Sequence, residues 1–89
     1  MPEQNVTIIN KLGLHARAAA KFVQVASHYT AEITLKKDSK EVNGKSIMGV
    51  MMLAAGQGTK LTLVTEGEEA EEAMQALTDL INDYFGEGE

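Results

Sequence analysis

The sequence predicts an α+β fold, an open sandwich in which a four-stranded antiparallel sheet is covered on one face by three helices. Three observations carry this expectation. Apolar and polar residues alternate in short β-branched stretches, the period of a strand with one buried face. Between them the apolar period lengthens to three and four residues, the period of a helix with one buried stripe. The segments follow one another as β-α-β-β-α-β-α. Strands and helices that each bury one side satisfy one another when the helices gather on one face of an antiparallel sheet.

Residues 6–9 are short and β-branched, a first strand by composition, ended by Asn10-Lys11-Leu12-Gly13. Over residues 16–27, Ala19, Phe22, Val23 and Ala26 recur at i, i+3, i+4 and i+7, one face of a helix. Ala16, Ala18, Ala19 and Ala20 add the best intrinsic helix propensity. Ala31, Ile33 and Leu35 alternate with Glu32, Thr34 and Lys36, a half-buried strand. Asp38-Ser39 supplies a turn, and residues 40–43 return antiparallel. Residues 46–53 are an apolar run of one or two helical turns, closed by Ala54-Ala55-Gly56-Gln57-Gly58. Leu61 and Leu63 flank Thr62 in a fourth strand reaching Thr65. The last helix is expected over about 68–85, with Ala70, Ala73, Leu77, Leu80, Ile81 and Tyr84 on one stripe. Glu68, Glu69, Glu71 and Glu72 lie in or near its first turn, where the helix dipole favours anions, and Gly86 is its expected stop.

A chain of 89 residues, with no repeat or linker, is expected to be one domain, residues 1–89. No apolar run approaches the roughly 20 residues of a membrane span. The first residues lack the basic and apolar regions of a signal peptide, so the expected compartment is the cytoplasm. Zero cysteines remove disulfides and thiolate chemistry, and two histidines leave no metal site. No cofactor is expected. Eight basic against thirteen acidic side chains give a net charge of −5, the wrong sign for a nucleic-acid groove. The imbalance is uneven. Residues 66–89 hold nine carboxylates and no Lys or Arg, whereas seven of the eight basic residues lie between 11 and 45. The first half is where an anion or an acidic partner would be met.

The residues able to do chemistry are few. His15 and His28 alone titrate near neutrality without large perturbation. His15 lies in Gly13-Leu14-His15-Ala16-Arg17, immediately before the first helix. There its ring would face free helix N–H groups, which favour an anion. Arg17 can reach the same point with a planar donor fork, and Gly13 would allow a positive φ or a close backbone approach. The positive helix end and Arg17 both disfavour a charged ring, so a neutral, nucleophilic imidazole is expected. An imidazole, a guanidinium and a helix N-terminus together make a place that can hold a phosphoryl group without trapping it. On position alone, however, a lone histidine there also reads as a capping residue, and His28 reads as a dipole partner or a solvated side chain. Gly44-Lys45-Ser46 is not a P-loop, because the glycine required five positions earlier is Ser39. Ser46 reads as an N-cap and, more sharply, as a modification site. In the short helix Met48, Met51 and Met52 fall on one side and Val50 and Leu53 on the other. Branched side chains suit a core, and methionines suit a surface that repacks against several partners. Met48 and Met51, with Ile47 at the edge, are therefore expected to form an exposed docking patch.

Two segments, Asn10-Lys11-Leu12-Gly13-Leu14-His15-Ala16-Arg17 and Asn43-Gly44-Lys45-Ser46-Ile47-Met48-Gly49-Val50-Met51, together resemble the active-site and regulatory-serine signatures of one family. It is the histidine-containing phosphocarrier family, HPr, of the phosphoenolpyruvate-dependent phosphotransferase system, and the resemblance extends over essentially the whole chain. It implies the family's open-faced β-sandwich and a monomeric carrier rather than a turnover enzyme. His15 would accept a phosphoryl group on Nδ1 from enzyme I and pass it to IIA proteins or domains. Arg17 would assist at the phosphoryl group, with the backbone of Gly13 and Ala16 at the site. Ser46 would be the target of HPr kinase/phosphorylase, and Ile47, Met48, Met51 and Met52 would meet partners. One position departs: the family commonly has proline directly after the arginine, and here it is Ala18. Alanine restores an N–H and removes no reactive group. A nitrogen-regulatory carrier shares the histidine motif but generally not Lys-Ser-Ile-Met-Gly. Two other classes would not need His15 with Arg17: an unphosphorylated interaction adaptor and a ferredoxin-like amino-acid-binding module.

Overall fold

The structure, a computed structural model, describes residues 2–89. Its elements are β1 (Glu3–Thr7), α1 (Ala16–Ala26), β2 (Glu32–Lys37), β3 (Lys40–Asn43), α2 (Ile47–Met52), β4 (Lys60–Glu66) and α3 (Ala70–Asn82), followed by a 3-10 turn at Tyr84–Gly86. The strands form one antiparallel sheet in the order β1-β4-β2-β3. Register decides which side chains share a face. Val6 stands opposite Leu61, and Leu35 lies between Leu63 and Val42, so these residues line the helix-covered side. Thr34, Lys36, Glu41 and Thr62 point the other way and keep that face polar. The core between the layers is built on Phe22, Leu35, Leu53, Leu63, Leu77, Ile81 and Phe85, each under 2% exposed.

Two elements differ from the sequence expectation. The first strand is residues 3–7, not 6–9. Glu3, Gln4 and Asn5 pair with Val64, Leu63 and Thr62, because a ladder needs backbone groups and not apolar side chains. Ile8 then leaves the strand and is fully buried. Its backbone is tied to the turn before β4, by Ile8 N–H to the Thr59 carbonyl at 2.9 Å and Gly58 N–H to the Ile8 carbonyl at 2.7 Å.

The last helix is Ala70–Asn82, shorter at both ends than residues 68–85. Glu69 is its N-cap in the left-handed region (φ 63°), which leaves Glu71 and Glu72 as the acids of the first turn. At the other end Tyr84 and Phe85 are left-handed, with φ 56° and 53°. Such a conformation costs about 1–2 kcal/mol per non-glycine residue. Burying a phenylalanine contributes about 1.5–3 kcal/mol, and Phe85 is fully buried while Tyr84 is 37% exposed. The kink thus exchanges the expected Tyr84 for Phe85 in the core, and it turns the residues beyond back over the first helix.

Candidate functional site

The loop before α1 is fixed by backbone geometry. Leu14 N–H donates to the Ala55 carbonyl at 2.8 Å, and Gly13 adopts φ +69°. A Cβ on Gly13 would lie 2.5 Å from the Ala55 oxygen and 2.7 Å from Gly56 Cα, so only glycine lets the two loops meet. The loop delivers His15 as the N-cap of α1 in extended conformation (φ −74°, ψ 179°). The first helical bond runs from Ala19 N–H to the His15 carbonyl, 2.8 Å. The N–H groups of Ala16, Arg17 and Ala18 therefore have no intrahelical acceptor and form the positive end of α1. Ala18 is the third helical residue and fully buried; its N–H has no intrahelical acceptor, so neither proline nor alanine there changes the helical hydrogen bonds of this turn.

The imidazole does not cap the helix, contrary to the expectation that it would face the free N–H groups. Its Nε2 is instead paired with Glu87 Oε2, in a contact where the two side chains are 29% and 12% exposed. Glu87 arrives from the segment beyond the kink, 72 residues away in sequence. Its other oxygen, Oε1, accepts from Asn10 Nδ2 at 3.0 Å. The same Asn10 amide donates to the Gly13 carbonyl at 2.8 Å. Asn10 is fully buried, and its Oδ1 has no partner among the described residues. Lys21, one turn after Arg17, donates to the Phe85 carbonyl at 2.8 Å and holds the same segment from the helix side. Burial pushes the Glu87 carboxyl up. Hydrogen bonds from Asn10 and His15, with the charges of His15 and Lys21, outweigh it and hold the group below its ordinary value of 4.5.

His15, Arg17, Leu12, Lys21, Glu87 and Glu89 line one open groove of about 640 Å³. Arg17 is exposed and, among the described residues, forms no ion pair, so its guanidinium fork is available to a ligand. No hydrogen bond engages His15 Nδ1 among those residues either. A second hollow of about 340 Å³, lined by Thr30, Ile33, Glu41, Lys45 and others between β2 and β3, contains neither histidine and none of this chemistry. His28 is exposed beyond α1, away from the groove. The arrangement can hold an anion opposite a nucleophilic nitrogen. No cluster of three or more His, Asp or Glu side chains suited to a metal occurs among the described residues.

Ser46 is the N-cap of α2, and its Oγ accepts from Gly49 N–H at 3.0 Å. The two sides of α2 divide as its spacing predicts. Met48 is 75% exposed, Met52 68%, Ile47 44% and Met51 42%, against 0% for Val50 and Leu53. The bond from Leu14 N–H to the Ala55 carbonyl ties the His15 loop to the segment just past α2, and α1 packs against α2. Sequence reasoning did not single out Glu87, Asn10 or Lys21. Glu87 reads as one more acid of the acidic second half, and nothing in its spacing points 72 residues back.

The chain matches the family model described as "PTS HPr component phosphorylation site" over residues 2–83. It is 61% identical over 89 residues to the phosphocarrier protein HPr of Neisseria meningitidis serogroup A, all of both chains being covered. It is 60% identical over 90 residues to that of Pseudomonas aeruginosa, again with all of both covered. A crystal structure of HPr from Thermoanaerobacter tengcongensis superposes with a TM-score of 0.95 at 53% identity, over 98% of each chain.

Proposed function

Because the chain belongs to the PTS HPr family, we propose that His15 carries the phosphoryl group, accepting it on Nδ1 from phosphorylated enzyme I and passing it to IIA proteins or domains. Members of this family are phosphocarriers of the phosphotransferase system, and the protein is a carrier rather than a turnover enzyme. One observation carries the assignment of the residue. His15 stands at the positive end of α1 with Nε2 held by Glu87, Nδ1 open, and Arg17 in the same groove. The Nδ1 lone pair forms the new N–P bond as the bond from phosphorus to the donor breaks and its electron pair returns to the donor. Arg17 supplies oriented donors to the phosphoryl oxygens. A helix terminus stabilises an anion by about 0.3–1 kcal/mol, up to ~2 when partly buried. That orients the group without trapping it.

Ile47, Met48, Met51 and Met52 are the docking surface for enzyme I and IIA partners in turn, with the backbone at Gly13 and Ala16 shaping the site. Lys and Arg from the first half meet acidic partner surfaces around it. Phosphorylation of Ser46 by an HPr kinase/phosphorylase adds about −1.5 to −2 charge at the edge of that surface and slows exchange. Residues 1–89 act as one monomeric domain in the cytoplasm. No described helix is long and apolar enough to cross a membrane.

His15→Ala is expected to abolish the acid-labile mass gain of one phosphoryl group after incubation with enzyme I and phosphoenolpyruvate, with the fold intact. His28→Ala is expected to transfer normally. Label retained by the His15 variant would refute the assignment.

A further inference from the structure

We propose that Glu87 is a positioning residue for phosphoryl exchange: its carboxylate keeps the proton on His15 Nε2, so that Nδ1 is the nucleophile and the phosphorylated ring stays a labile donor. The inference rests on His15 being the carrier. A neutral imidazole has one N–H and one lone pair, and the tautomer is set by what the other nitrogen bonds. A carboxylate can only accept, so Nε2 facing Glu87 carries the hydrogen and the lone pair lies on Nδ1.

The same contact acts after transfer. When Nδ1 bonds phosphorus and the donor departs with its electron pair, the ring keeps its Nε2–H and gains a formal positive charge. Glu87 stabilises that charge as the buried aspartate of a Ser-His-Asp triad stabilises its imidazolium. In the onward step the acceptor attacks phosphorus, the N–P bond breaks and its pair returns to Nδ1. The leaving group is then a neutral imidazole. A ring that had lost the Nε2 proton would have to leave as an imidazolate, a far poorer leaving group. Holding the proton therefore keeps the phosphoryl group transferable.

The surroundings are built for this. Buried Asn10 fixes the second oxygen of Glu87, and Lys21 fixes the carbonyl of Phe85, two residues earlier. The charged groups facing the ring are Arg17 and Lys21 from α1 and Glu87 and Glu89 from the C-terminal segment. The two cations oppose a positive ring and the two acids favour it, and only Glu87 is bonded to it.

The test phosphorylates the full chain, Glu87→Gln and Glu87→Ala with enzyme I and phosphoenolpyruvate. It follows the phosphorus NMR signal of the phosphohistidine across pH, then the rate of transfer to a IIA protein. In the wild type the signal should keep its protonated-ring position to higher pH than in either Glu87 variant. Transfer by Glu87→Ala at alkaline pH should fall by roughly tenfold or more. Glu87→Gln, which still accepts a hydrogen bond, should lose less. Superimposable titrations and equal rates for wild type and both Glu87 variants would overturn the inference alone. A wild type that gains no phosphoryl group on His15 would overturn the carrier assignment and this inference with it.

Discussion

Arg17 lies at the second position of α1, exposed and facing the groove that holds His15. If its role is to orient donors toward phosphoryl oxygens, charge alone does not replace it. Arg17→Lys is expected to slow acceptance from enzyme I clearly, because an ammonium is a point charge without the two parallel N–H donors. Equal transfer rates for the two proteins would remove the direct role. At Ser46 one oxygen is a cap and a proposed phosphate acceptor. As an N-cap it accepts from Gly49 N–H, a contact whose loss costs about 0.5–2 kcal/mol. As a phosphate acceptor it would place charge beside the methionines. Ser46→Asp keeps a capping oxygen and adds the charge, so it separates the two. Slower phosphorylation by enzyme I at low salt, recovering as salt rises, is the regulatory outcome; unchanged kinetics at low salt would leave Ser46 a cap only.

At the scale of elements, α2 is where sequence and structure agree most closely. Six residues suffice because the period separates the buried Val50, with Leu53 just beyond, from the exposed methionines. Met48→Glu is therefore expected to weaken binding of both enzyme I and IIA proteins with little change in melting temperature. Leu53→Ala, which empties a fully buried site, should destabilise by roughly 2–5 kcal/mol. Calorimetry and titration of the two variants separate docking from folding. The other elements show what a one-dimensional pattern can carry. Leu61 and Leu63 announce β4 because their alternation is a burial signal. Glu3, Gln4 and Asn5 belong to β1 only through backbone pairing with β4, and composition is silent about pairing. The end of α3 misleads for a third reason. Tyr84 continues the helical stripe, but Phe85 buries better once the backbone turns left-handed, a competition settled by tertiary packing. His15 and Arg17 are legible because they lie two residues apart in one short motif. Glu87 is not, because its partner lies at the opposite end of the chain.

For the whole molecule, that contact joins the acid balance of the second half to the basic first half. The Glu87 carboxyl is held below its ordinary value of 4.5. Its folded pKa is thus below its unfolded one, so the stabilisation is complete above about pH 4.5 and is lost as pH falls through the lowered value. Glu87→Gln removes the titrating group. The difference in melting temperature between wild type and Glu87→Gln should narrow from pH 6 to pH 3, and a constant difference would show that the carboxylate contributes nothing as an ion. The sheet carries one further consequence of the same contact. A chain made from its N-terminus produces β1, the His15 loop and α1 early, but Asn10 and His15 do not meet their carboxylate until residue 87 has been made and the kink at Phe85 has seated. Closing a loop of that length is entropically expensive unless the intervening layers already hold the ends together. An assembled sheet and its helices already hold those ends together, so the contact of His15 with Glu87 is expected to form as the last turn docks. On the proposed roles of His15 and Glu87, full phosphoryl competence is then expected only of a chain that has finished folding.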